Sequence, residues 1–263
     1  MGSFLKRNEI IRLERLHEER YGRVLCYPRY NLKELRGRLS ELRRLGVKAI
    51  EFAGGTMVFD TWVLGKGYVG IVVSAQTEDG EKAALKIRRV DADQSGMQHE
   101  AEMLRRANDV CVGPRLFGDT ENFILMEFIE GTMLPKWVEK LRGKGTRSRI
   151  RRVLRGVLEQ CWRLDEAGLD HGELSRAPKH LIIDVNDNSH ILDFESASTT
   201  RRVSNVTSIC QYLFIGSHVA KVIKRKLGGI RKEELISTLR KYKRERTQEK
   251  LEEILSVCRL HKI

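Results

Sequence analysis

Three glycines at fixed spacing interrupt an apolar stretch in the first third of the chain. The segment Gly65-Lys66-Gly67-Tyr68-Val69-Gly70-Ile71-Val72 fits the pattern G-x-G-x-x-G-x-V, which lets a backbone approach phosphate groups closely because glycine has no side chain. The residues after Gly70 are β-branched, so the loop leads from strand to strand, whereas the loop of a dinucleotide-binding Rossmann fold leads into a helix. A plain β-hairpin with glycines in its turn is the alternative interpretation of this segment alone.

A lysine lies on the strand that is predicted next. Lys86 ends the run Ala83-Ala84-Leu85-Lys86 and is expected to point inward, which is costly for a charge without an anionic partner. Phosphate groups and a glutamate of the following helix are the expected partners. Glu100 is the preferred glutamate and Glu102 the competitor, since residues two apart on a helix face different sides.

Carboxylates stand at two places in the second half of the chain. Glu173, in His171-Gly172-Glu173-Leu174-Ser175, is a candidate general base, because its carboxylate is ionised at neutral pH and can accept a proton. Asp193 begins Asp193-Phe194-Glu195 and is the candidate principal ligand of Mg²⁺ or Mn²⁺, because both cations favour carboxylate oxygens.

Taken in order along the chain, these segments resemble the protein-kinase-like superfamily, and within it the small atypical lineage of the RIO kinases and the KEOPS-complex kinase. The segment around Glu173 is similar to the RIO-type H-G-D-L-S, and no A-P-E follows Asp193. The resemblance covers about residues 58–215 and looks most like an archaeal-type stand-alone small serine/threonine kinase. It implies ATP with Mg²⁺ or Mn²⁺ as cofactors, and either phosphotransfer to protein serine or threonine or ATP hydrolysis used as a switch.

The resemblance also implies a nucleotide site. Met126 takes the gatekeeper position, and Glu127 and Ile129 would offer backbone groups to adenine. The residues implied for ATP binding are Gly65, Lys66, Gly67, Gly70, Val72, Ala84, Lys86, Glu100, Met126, Glu127 and Ile129.

Three positions depart from the family pattern. Glu173 replaces the catalytic aspartate, so the carboxylate sits one methylene further out, and positioning is most of phosphoryl-transfer catalysis. His180 takes the place of the metal-binding asparagine after a loop two residues longer than the family loop, although imidazole is a poor ligand for Mg²⁺. Lys179, or Arg176, could instead neutralise phosphate charge. Glu195 replaces the glycine of the D-F-G element, which removes a flexible residue and could add a second carboxylate near the metal.

The predicted fold is α+β and two-lobed, as in protein kinases. Residues 1–57 are predicted to form an N-terminal helical extension, residues 58–130 an N-lobe with a five-stranded antiparallel sheet and one helix, and residues 131–263 a reduced, mainly helical C-lobe. In the extension and N-lobe the pattern predicts helices over 4–20 and 32–45, with Asn31 as cap and Gly46 as stop, strands over 58–64, 69–75, 82–90, 115–118 and 123–128, and a helix over 94–107. In the C-lobe it predicts helices over 135–141 and 147–167, a hairpin of 181–184 with 190–193, and three or four helices from about residue 205.

The charge balance indicates a polyanionic partner. The chain has 49 lysines and arginines against 36 aspartates and glutamates, a net charge of +13. Residues 142–155 hold seven cations and no acid, and residues 221–246 form a second basic stretch. Such fields attract polyanions, so RNA or a ribonucleoprotein is a predicted partner, and solvated helix faces are the alternative.

The cysteines and the apolar runs indicate a cytoplasmic protein. The five cysteines are far apart and never in a C-x-x-C arrangement, which predicts free thiols in a reducing compartment. No apolar run reaches the roughly 20 residues that a membrane span needs, and no signal peptide is recognised, so no membrane partner is expected.

Two classes of function fit these observations. One is an enzyme, an atypical serine/threonine kinase or an ATPase. The other is a weakly active or inactive nucleotide-binding module that docks on RNA or a ribonucleoprotein through basic helices. A small-molecule phosphotransferase of the aminoglycoside or choline kinase type ranks lower, because those enzymes need an acidic lobe for cationic substrates.

Overall fold

The computed structural model of the chain describes residues 8–260, which form two compact units. The first unit takes the described residues of Met1–Glu102 together with Arg115–Phe128, and the second takes those of Met103–Pro114 and Ile129–Ile263. The predicted separation into an extension and two lobes, at residues 57/58 and 130/131, stays a prediction.

Antiparallel strands dominate the first unit. In chain order they are β1 (Glu9–Arg12), β2 (Val47–Phe52), β3 (Thr56–Val58), β4 (Thr61–Val63), β5 (Gly65–Lys66), β6 (Gly70–Thr77), β7 (Lys82–Arg88), β8 (Leu116–Asp119) and β9 (Phe123–Glu127). Seven of them form one sheet with the order β1-β2-β6-β7-β9-β8 and with β5 paired to β6, while β3 and β4 form a separate hairpin. β6 and β7 form an antiparallel hairpin whose register runs from Gly70–Arg88 to Gln76–Lys82.

Helices pack beside this sheet. They are α1 (Glu19–Leu25), α2 (Leu32–Arg44) and α3 (Gln94–Asp109), which continues into the second unit after Glu102. The side chain of Asn31 accepts hydrogen bonds from the N–H groups of Lys33 and Glu34 at 2.8 and 3.2 Å, and so caps α2. The chain leaves α2 through Gly46, whose φ of +68° favours glycine. The predicted cap and stop of α2, and the predicted helix over 94–107, are confirmed.

The predicted helix over residues 4–20 is wrong within the described residues, and residues 4–7 lie outside them. Residues 9–12 form β1, which pairs antiparallel with β2 from Glu9–Phe52 to Arg12–Ala49. A 3-10 helix follows over Leu13–Arg15. The near-helical spacing of the apolar residues misled the prediction, because pairing with a distant strand overrides a local preference.

The predicted five-stranded sheet also needs correction. Four of its strands are present as β6, β7, β8 and β9. The run predicted as one strand over 58–64 is broken by Phe59, which has a φ of +53°, and yields the β3–β4 hairpin instead. Three strands that were not predicted, β1, β2 and β5, bring the sheet to seven.

A buried polar network ties α2 to the sheet. Arg38 is fully buried, and its guanidinium donates to the carbonyls of Leu25 and Arg88 at 2.6 Å and to Asn122 Oδ1 at 3.0 Å. Asn122 in turn donates from its N–H and its amide nitrogen to Glu41 of α2, at 3.0 and 2.6 Å. A buried guanidinium is tolerated only when such acceptors surround it.

The second unit is mainly helical. In chain order its elements after α3 are β10 (Gly131–Met133), α4 (Leu134–Lys140), α5 (Thr146–Glu166), β11 (Leu181–Asp184), β12 (Ser189–Ile191), α6 (Asn205–Cys210), α7 (His218–Leu227), α8 (Lys232–Arg244) and α9 (Gln248–Val257). A π-helical segment, Gln211–Ile215, extends α6. These elements confirm the predicted helices and the predicted hairpin, but β10, which pairs with β11, was not predicted.

A buried carboxylate joins three helices of this unit. Asp165 of α5 accepts hydrogen bonds from the N–H and the amide of Asn205, both at 2.9 Å, and from the hydroxyl of Tyr242 at 3.0 Å. Burial raises the pKa of Asp165, and these donors act in the opposite direction. The carboxylate therefore connects α5 to the start of α6 and to α8.

The described residues thus form a mixed α/β protein with antiparallel sheets and nine α-helices, which is compatible with a two-lobed fold. The five cysteines carry free thiols, as predicted. Within residues 8–260 no single helix is both long and apolar enough to cross a membrane. One pair of helical segments, Asn205–Ile215 and His218–Leu227, is long and apolar enough when taken together, but the two are bent by 69°.

Candidate nucleotide and metal sites

The glycine segment of the first unit forms a tight hairpin. Residues 65–66 pair with residues 71–72, and the N–H of Gly67 donates to the carbonyl of Gly70 at 2.8 Å. A Cβ at Gly70 would lie 2.8 Å from the carbonyl oxygen of Ile87, so the backbone passes too close to β7 for any larger residue. The segment leads from strand to strand, as the sequence predicts.

Small and apolar side chains share one face of the sheet with Lys86. Directly paired residues of neighbouring strands point to the same side, and the register pairs Val72 with Lys86 and Ala84 with Met126. Val72, Ala84 and Met126 are half-buried, whereas the residues between them point into the core of the unit. An apolar, partly open face next to a lysine fits a flat heterocyclic base with phosphates attached.

Lys86 forms a buried ion pair with the preferred glutamate. Its Nζ lies 2.5 Å from Oε2 of Glu100, and both side chains are at most 9% exposed. The Cγ of Lys86 would lie 3.3 Å from a Cβ at Gly70, so the hairpin covers the stem of the lysine. The glycine hairpin, the lysine and the helix glutamate are therefore brought together, as their expected role in holding phosphates requires.

The segment predicted to bind adenine is anchored at Glu127. The N–H of Glu127 donates to the carbonyl of Arg115 at 2.8 Å, and its carboxylate accepts from the N–H of Arg115 at 3.1 Å. Because this N–H is engaged, adenine recognition at Glu127 would use its carbonyl. Ile129 is half-buried and belongs to the second unit.

Tyr27 holds the glycine hairpin from the N-terminal side, and the sequence prediction missed it. Its hydroxyl accepts a hydrogen bond from Lys66 at 3.3 Å, and the Lys66 ammonium and the Arg89 guanidinium each lie 5.2 Å from its ring centroid. Its carbonyl accepts from the N–H of Val90 at 2.9 Å. The sequence shows a break at Tyr27-Pro28, but no local pattern indicates which element Tyr27 contacts.

In the second unit His180 lies between the two predicted carboxylates. Its Nε2 is 3.0 Å from Oε2 of Glu173, and its Nδ1 is 3.7 Å from Oδ2 of Asp193. His180 is buried, whereas Glu173 and Asp193 are each nearly half exposed. The structure therefore brings the candidate base and the two candidate metal ligands together in one cluster.

His180 presents one ring nitrogen to each of the two carboxylates in this cluster. Nε2 is within hydrogen-bonding distance of the Glu173 carboxylate, and Nδ1 faces the carboxylate of Asp193. Nδ1 is buried and has no hydrogen-bond partner within the described residues. An imidazole nitrogen and a carboxylate oxygen 3.7 Å apart are donors that one divalent cation can share, so these residues fit a divalent metal. A mixed nitrogen and oxygen donor set suits Mn²⁺ better than Mg²⁺.

Two further residues orient the Glu173 carboxylate, and no sequence pattern marks either of them. Ser196 donates its hydroxyl to Oε1 of Glu173 at 2.6 Å. Arg201 donates to the carbonyl of Ser196 at 2.7 Å and to Asp170 at 2.6 Å. A Cβ at Gly172 would lie 2.5 Å from the Arg201 guanidinium, so this glycine makes room for the arginine. The longer side chain of Glu173 is thus held at both of its oxygens.

The backbone at Asp193 is in the left-handed region. Its φ is +70°, a conformation that non-glycine residues adopt rarely and that occurs more often at functional sites. The next residue, Phe194, is buried with its ring 5.1 Å from that of His171, and a Cβ at Gly113 would lie 2.8 Å from it. Burial lowers the pKa of His171, whose Nε2 lies 3.0 Å from the carbonyl of Leu192. Asp193 thus lies between Leu192, whose carbonyl contacts the buried His171, and the buried Phe194.

Three further predicted residues are close in sequence to this cluster: Arg176, Lys179 and Glu195. Lys179 and Arg176 are both exposed in the loop that precedes β11. Glu195 is half-buried directly after Phe194. Their expected roles in charge neutralisation and metal binding stay predictions.

Comparison with known proteins shows similarity over part of the chain only. No model of a known protein family matches the chain. The chain is similar to the "Probable serine/threonine-protein kinase zyg-1" of Caenorhabditis briggsae, with 31% identity over 115 residues. These residues are 43% of this chain and only 16% of that protein, so the chain covers about a sixth of the relative. The similarity supports a kinase-like relationship and does not point to the RIO or KEOPS lineages.

Proposed function

We propose that the chain is an ATP-dependent phosphotransferase that acts on protein serine or threonine residues, as an atypical kinase of the RIO-like kind. The observation that carries this proposal is the buried Lys86–Glu100 pair beneath a glycine hairpin. A dinucleotide-binding loop would lead into a helix, and a simple hairpin has no need of a buried ion pair. The similarity to a serine/threonine kinase supports the same reaction class.

The two units would carry different parts of the chemistry. In the first, the proposed N-lobe, Val72, Ala84 and Met126 would contact the base, and Lys86 would hold phosphate oxygens. In the second, the proposed C-lobe, Asp193 and His180 would hold Mg²⁺ or Mn²⁺, which when bound would neutralise phosphate charge. The proposed setting is the cytoplasm.

Glu173 is the proposed general base. Its Oε1 accepts from Ser196 and its Oε2 from His180, so its orientation is fixed, while nearly half of its side chain stays exposed to an incoming hydroxyl group. Positioning accounts for most of the catalysis in phosphoryl transfer, and a fixed carboxylate can offset the extra methylene of glutamate. The acceptor is a protein hydroxyl, or water when the chain acts as an ATPase switch.

Single-turnover assays with γ-labelled ATP test this proposal. We expect Glu173→Gln to lower transfer to protein or to water by about 10²–10⁴-fold, the usual contribution of a general base, while ATP binding stays intact. Glu166→Gln, at an exposed position of α5, removes the same charge outside the cluster and should leave turnover unchanged. Equal turnover in the wild type and Glu173→Gln would contradict the base assignment.

The second candidate function is a weakly active or inactive nucleotide-binding module that docks on RNA or a ribonucleoprotein. The observation in its favour is the concentration of positive charge in the second unit. ATP binding without turnover in the wild type, with a native partner supplied, would make this the better account.

A further inference from the structure

The two basic stretches of the sequence meet in the second unit. Arg147, at the start of α5, donates from Nε to the carbonyl of Lys226, at the end of α7, at 3.2 Å. Lys226 donates from Nζ to the carbonyl of Leu141 at 2.7 Å. Residues that are 79 positions apart in the chain therefore contribute to one positively charged surface.

A pocket of about 490 Å³ opens at this meeting point. Arg147, Arg151 and Lys226 line it, together with small and hydroxyl residues of 143–148, and within the described residues its lining contains no acid. Desolvation, and then the nearby positive charges of Arg142 and Arg225, lower the pKa of Lys226. Like charges held this closely repel one another unless an anion lies between them.

A groove of about 1070 Å³ continues from the pocket along α5 through Ser148 and Arg151, which line both cavities. We call the pocket and the groove together the arginine groove. Several of its cations are already neutralised. Arg149 and Arg152 bind Asp187 at 2.6 and 3.0 Å, and Arg155 binds Glu159 and Glu252 at 2.7 and 2.6 Å.

Two uncompensated donors remain in the arginine groove, one on Arg151 and one on Trp162. Nε of Arg151 and Nε1 of Trp162 are buried atoms with no hydrogen-bond partner in the described part of the chain. Both residues line the groove. Buried N–H groups without acceptors are rare because each loses its hydrogen bonds to water without replacement, so these two indicate a ligand that is rich in acceptors.

We propose that the arginine groove binds the backbone of single-stranded RNA. Arg147 and Arg151 lie one helical turn apart, about 6 Å along the axis, which distributes positive charge over more than one phosphate. Cations that track a backbone next to an aromatic residue are the usual means of binding a single strand, and Trp162 lies further along the groove. A single phosphate group would fill the pocket but would not use the groove beyond it.

Fluorescence anisotropy of the full chain with a labelled single-stranded RNA of about 12 nucleotides tests the proposal, without ATP present. The test variant is Arg147→Gln/Arg151→Gln/Lys226→Gln. The control is Arg36→Gln/Arg43→Gln/Arg44→Gln, which removes the same charge from exposed positions of α2 in the first unit. Thermal unfolding of both variants verifies that they fold.

We expect the wild type to bind with a strong salt dependence between about 50 and about 200 mM salt. Loss of three phosphate contacts should lower the slope of log K against log salt by about 2 in the test variant and leave it unchanged in the control. Trp162→Phe should keep the salt slope and lose the quenching of tryptophan fluorescence by RNA.

Three outcomes would overturn the proposal. The first is a wild type that does not bind RNA at the lower salt. The second is a control variant that loses as much affinity as the test variant, which would show diffuse attraction to the whole surface. A phosphoserine peptide that binds the groove more tightly than the RNA, and that the test variant releases, would assign the groove to phosphorylated protein instead. Because no ATP is present, each of these results is independent of the proposed phosphotransfer.

Discussion

Lys86 and Glu100 form an ion pair that stability alone does not account for. Replacement of a buried ion pair by apolar residues of similar volume is often neutral or stabilising, whereas removal of one partner costs about 3–5 kcal/mol. Both side chains are at most 9% exposed. The pair therefore supports the proposed phosphate site, in which the glutamate would hold the lysine in position before the nucleotide binds.

This reasoning separates the effect of the lysine on stability from its effect on binding. We expect Lys86→Met to destabilise the chain by about 3–5 kcal/mol and Lys86→Met/Glu100→Leu to recover most of that loss, since no charge stays buried alone. Both variants should bind ATP at least about tenfold more weakly, because one charge-assisted contact contributes about 1.5–3 kcal/mol. Urea unfolding and calorimetry with ATP measure the two effects.

Lys82→Met is the matched control for this pair of variants. Lys82 lies on the same strand but is half exposed, with a surface ion pair to Glu51 at 3.0 Å. Its replacement should change the free energy of unfolding and the ATP affinity little. ATP binding of wild-type strength in Lys86→Met/Glu100→Leu would rule out a phosphate contact by Lys86.

His180 supports a prediction about metal preference. In the presence of ATP, we expect the wild type to bind Mn²⁺ more tightly than Mg²⁺, because one proposed ligand is an imidazole nitrogen. His180→Asn should shift the preference by about tenfold toward Mg²⁺, and Asp193→Ala should weaken both metals. Electron paramagnetic resonance of Mn²⁺, with Mg²⁺ as competitor, gives the preference without any need for turnover.

His190→Asn is the control for this metal prediction, since His190 lies 3.4 Å from Asp184 in the β11–β12 hairpin. It should leave the preference unchanged. An identical Mn²⁺ to Mg²⁺ ratio in the wild type and in His180→Asn would exclude Nδ1 of His180 as a ligand. If His180→Ala weakens metal binding more than Asp193→Ala does, the assignment of Asp193 as the principal ligand is wrong.

The candidate site residues could be predicted from the sequence, but the contacts that orient their side chains could not. Lys86, Glu100, Glu173 and Asp193 stand in motifs whose order along the chain is informative. The hydrogen bond from Ser196 to Glu173 depends on a turn that is held by Arg201, and no local pattern marks such a contact. Contacts between side chains from different loops follow from tertiary structure alone.

Among the elements, the N-terminal segment differs most from its prediction. Residues 9–12, Glu-Ile-Ile-Arg, have no alternating pattern and form a strand through their pairing with β2. The run Val47-Lys48-Ala49-Ile50-Glu51-Phe52 does carry a strand signal directly after Gly46, and that signal was available in the sequence. The long helices α2 and α5, with sustained apolar periodicity, were predicted to within two residues at each end.

Within the first unit, Arg38 connects α2 to the sheet through buried hydrogen bonds. Its guanidinium reaches two backbone carbonyls, Asn122 and Glu34, from a fully buried position. We expect Arg38→Met to destabilise the chain by about 3–5 kcal/mol, because it leaves several buried acceptors without donors. Urea denaturation followed by circular dichroism measures this change.

Arg36→Met provides the comparison for Arg38→Met on the same helix. Arg36 is exposed, so its replacement should change stability by less than about 0.5 kcal/mol. If the two substitutions destabilise equally, the network around Arg38 does not hold α2 in place and the packing of apolar residues does.

At the scale of the whole chain, the residues proposed for one reaction lie in two compact units. Lys86 and Glu100 belong to the first, and Glu173, His180 and Asp193 belong to the second. The sequence predicted this order of chemistry along the chain, from phosphate-binding glycines to metal-binding aspartate. It did not predict that residues 9–12 and 47–52 would extend the sheet of the first unit, because that pairing joins segments far apart in the chain.

If one phosphotransfer step uses Lys86 and Asp193 together, their removal should not be additive. Residues that act as a unit in one reaction show this behaviour, since the first substitution already removes most of what both supply. We expect the single-turnover rate of Lys86→Met/Asp193→Ala to equal that of the slower single variant within about threefold. If the two fold-losses multiplied, as they do for independent sites, the rate would be much lower. Lys86→Met/Glu166→Gln, with an exposed second site, should match Lys86→Met alone. A loss in Lys86→Met/Asp193→Ala equal to the product of the single losses would show that the lysine and the aspartate serve separate events, and the proposed phosphotransfer would then need a different metal ligand.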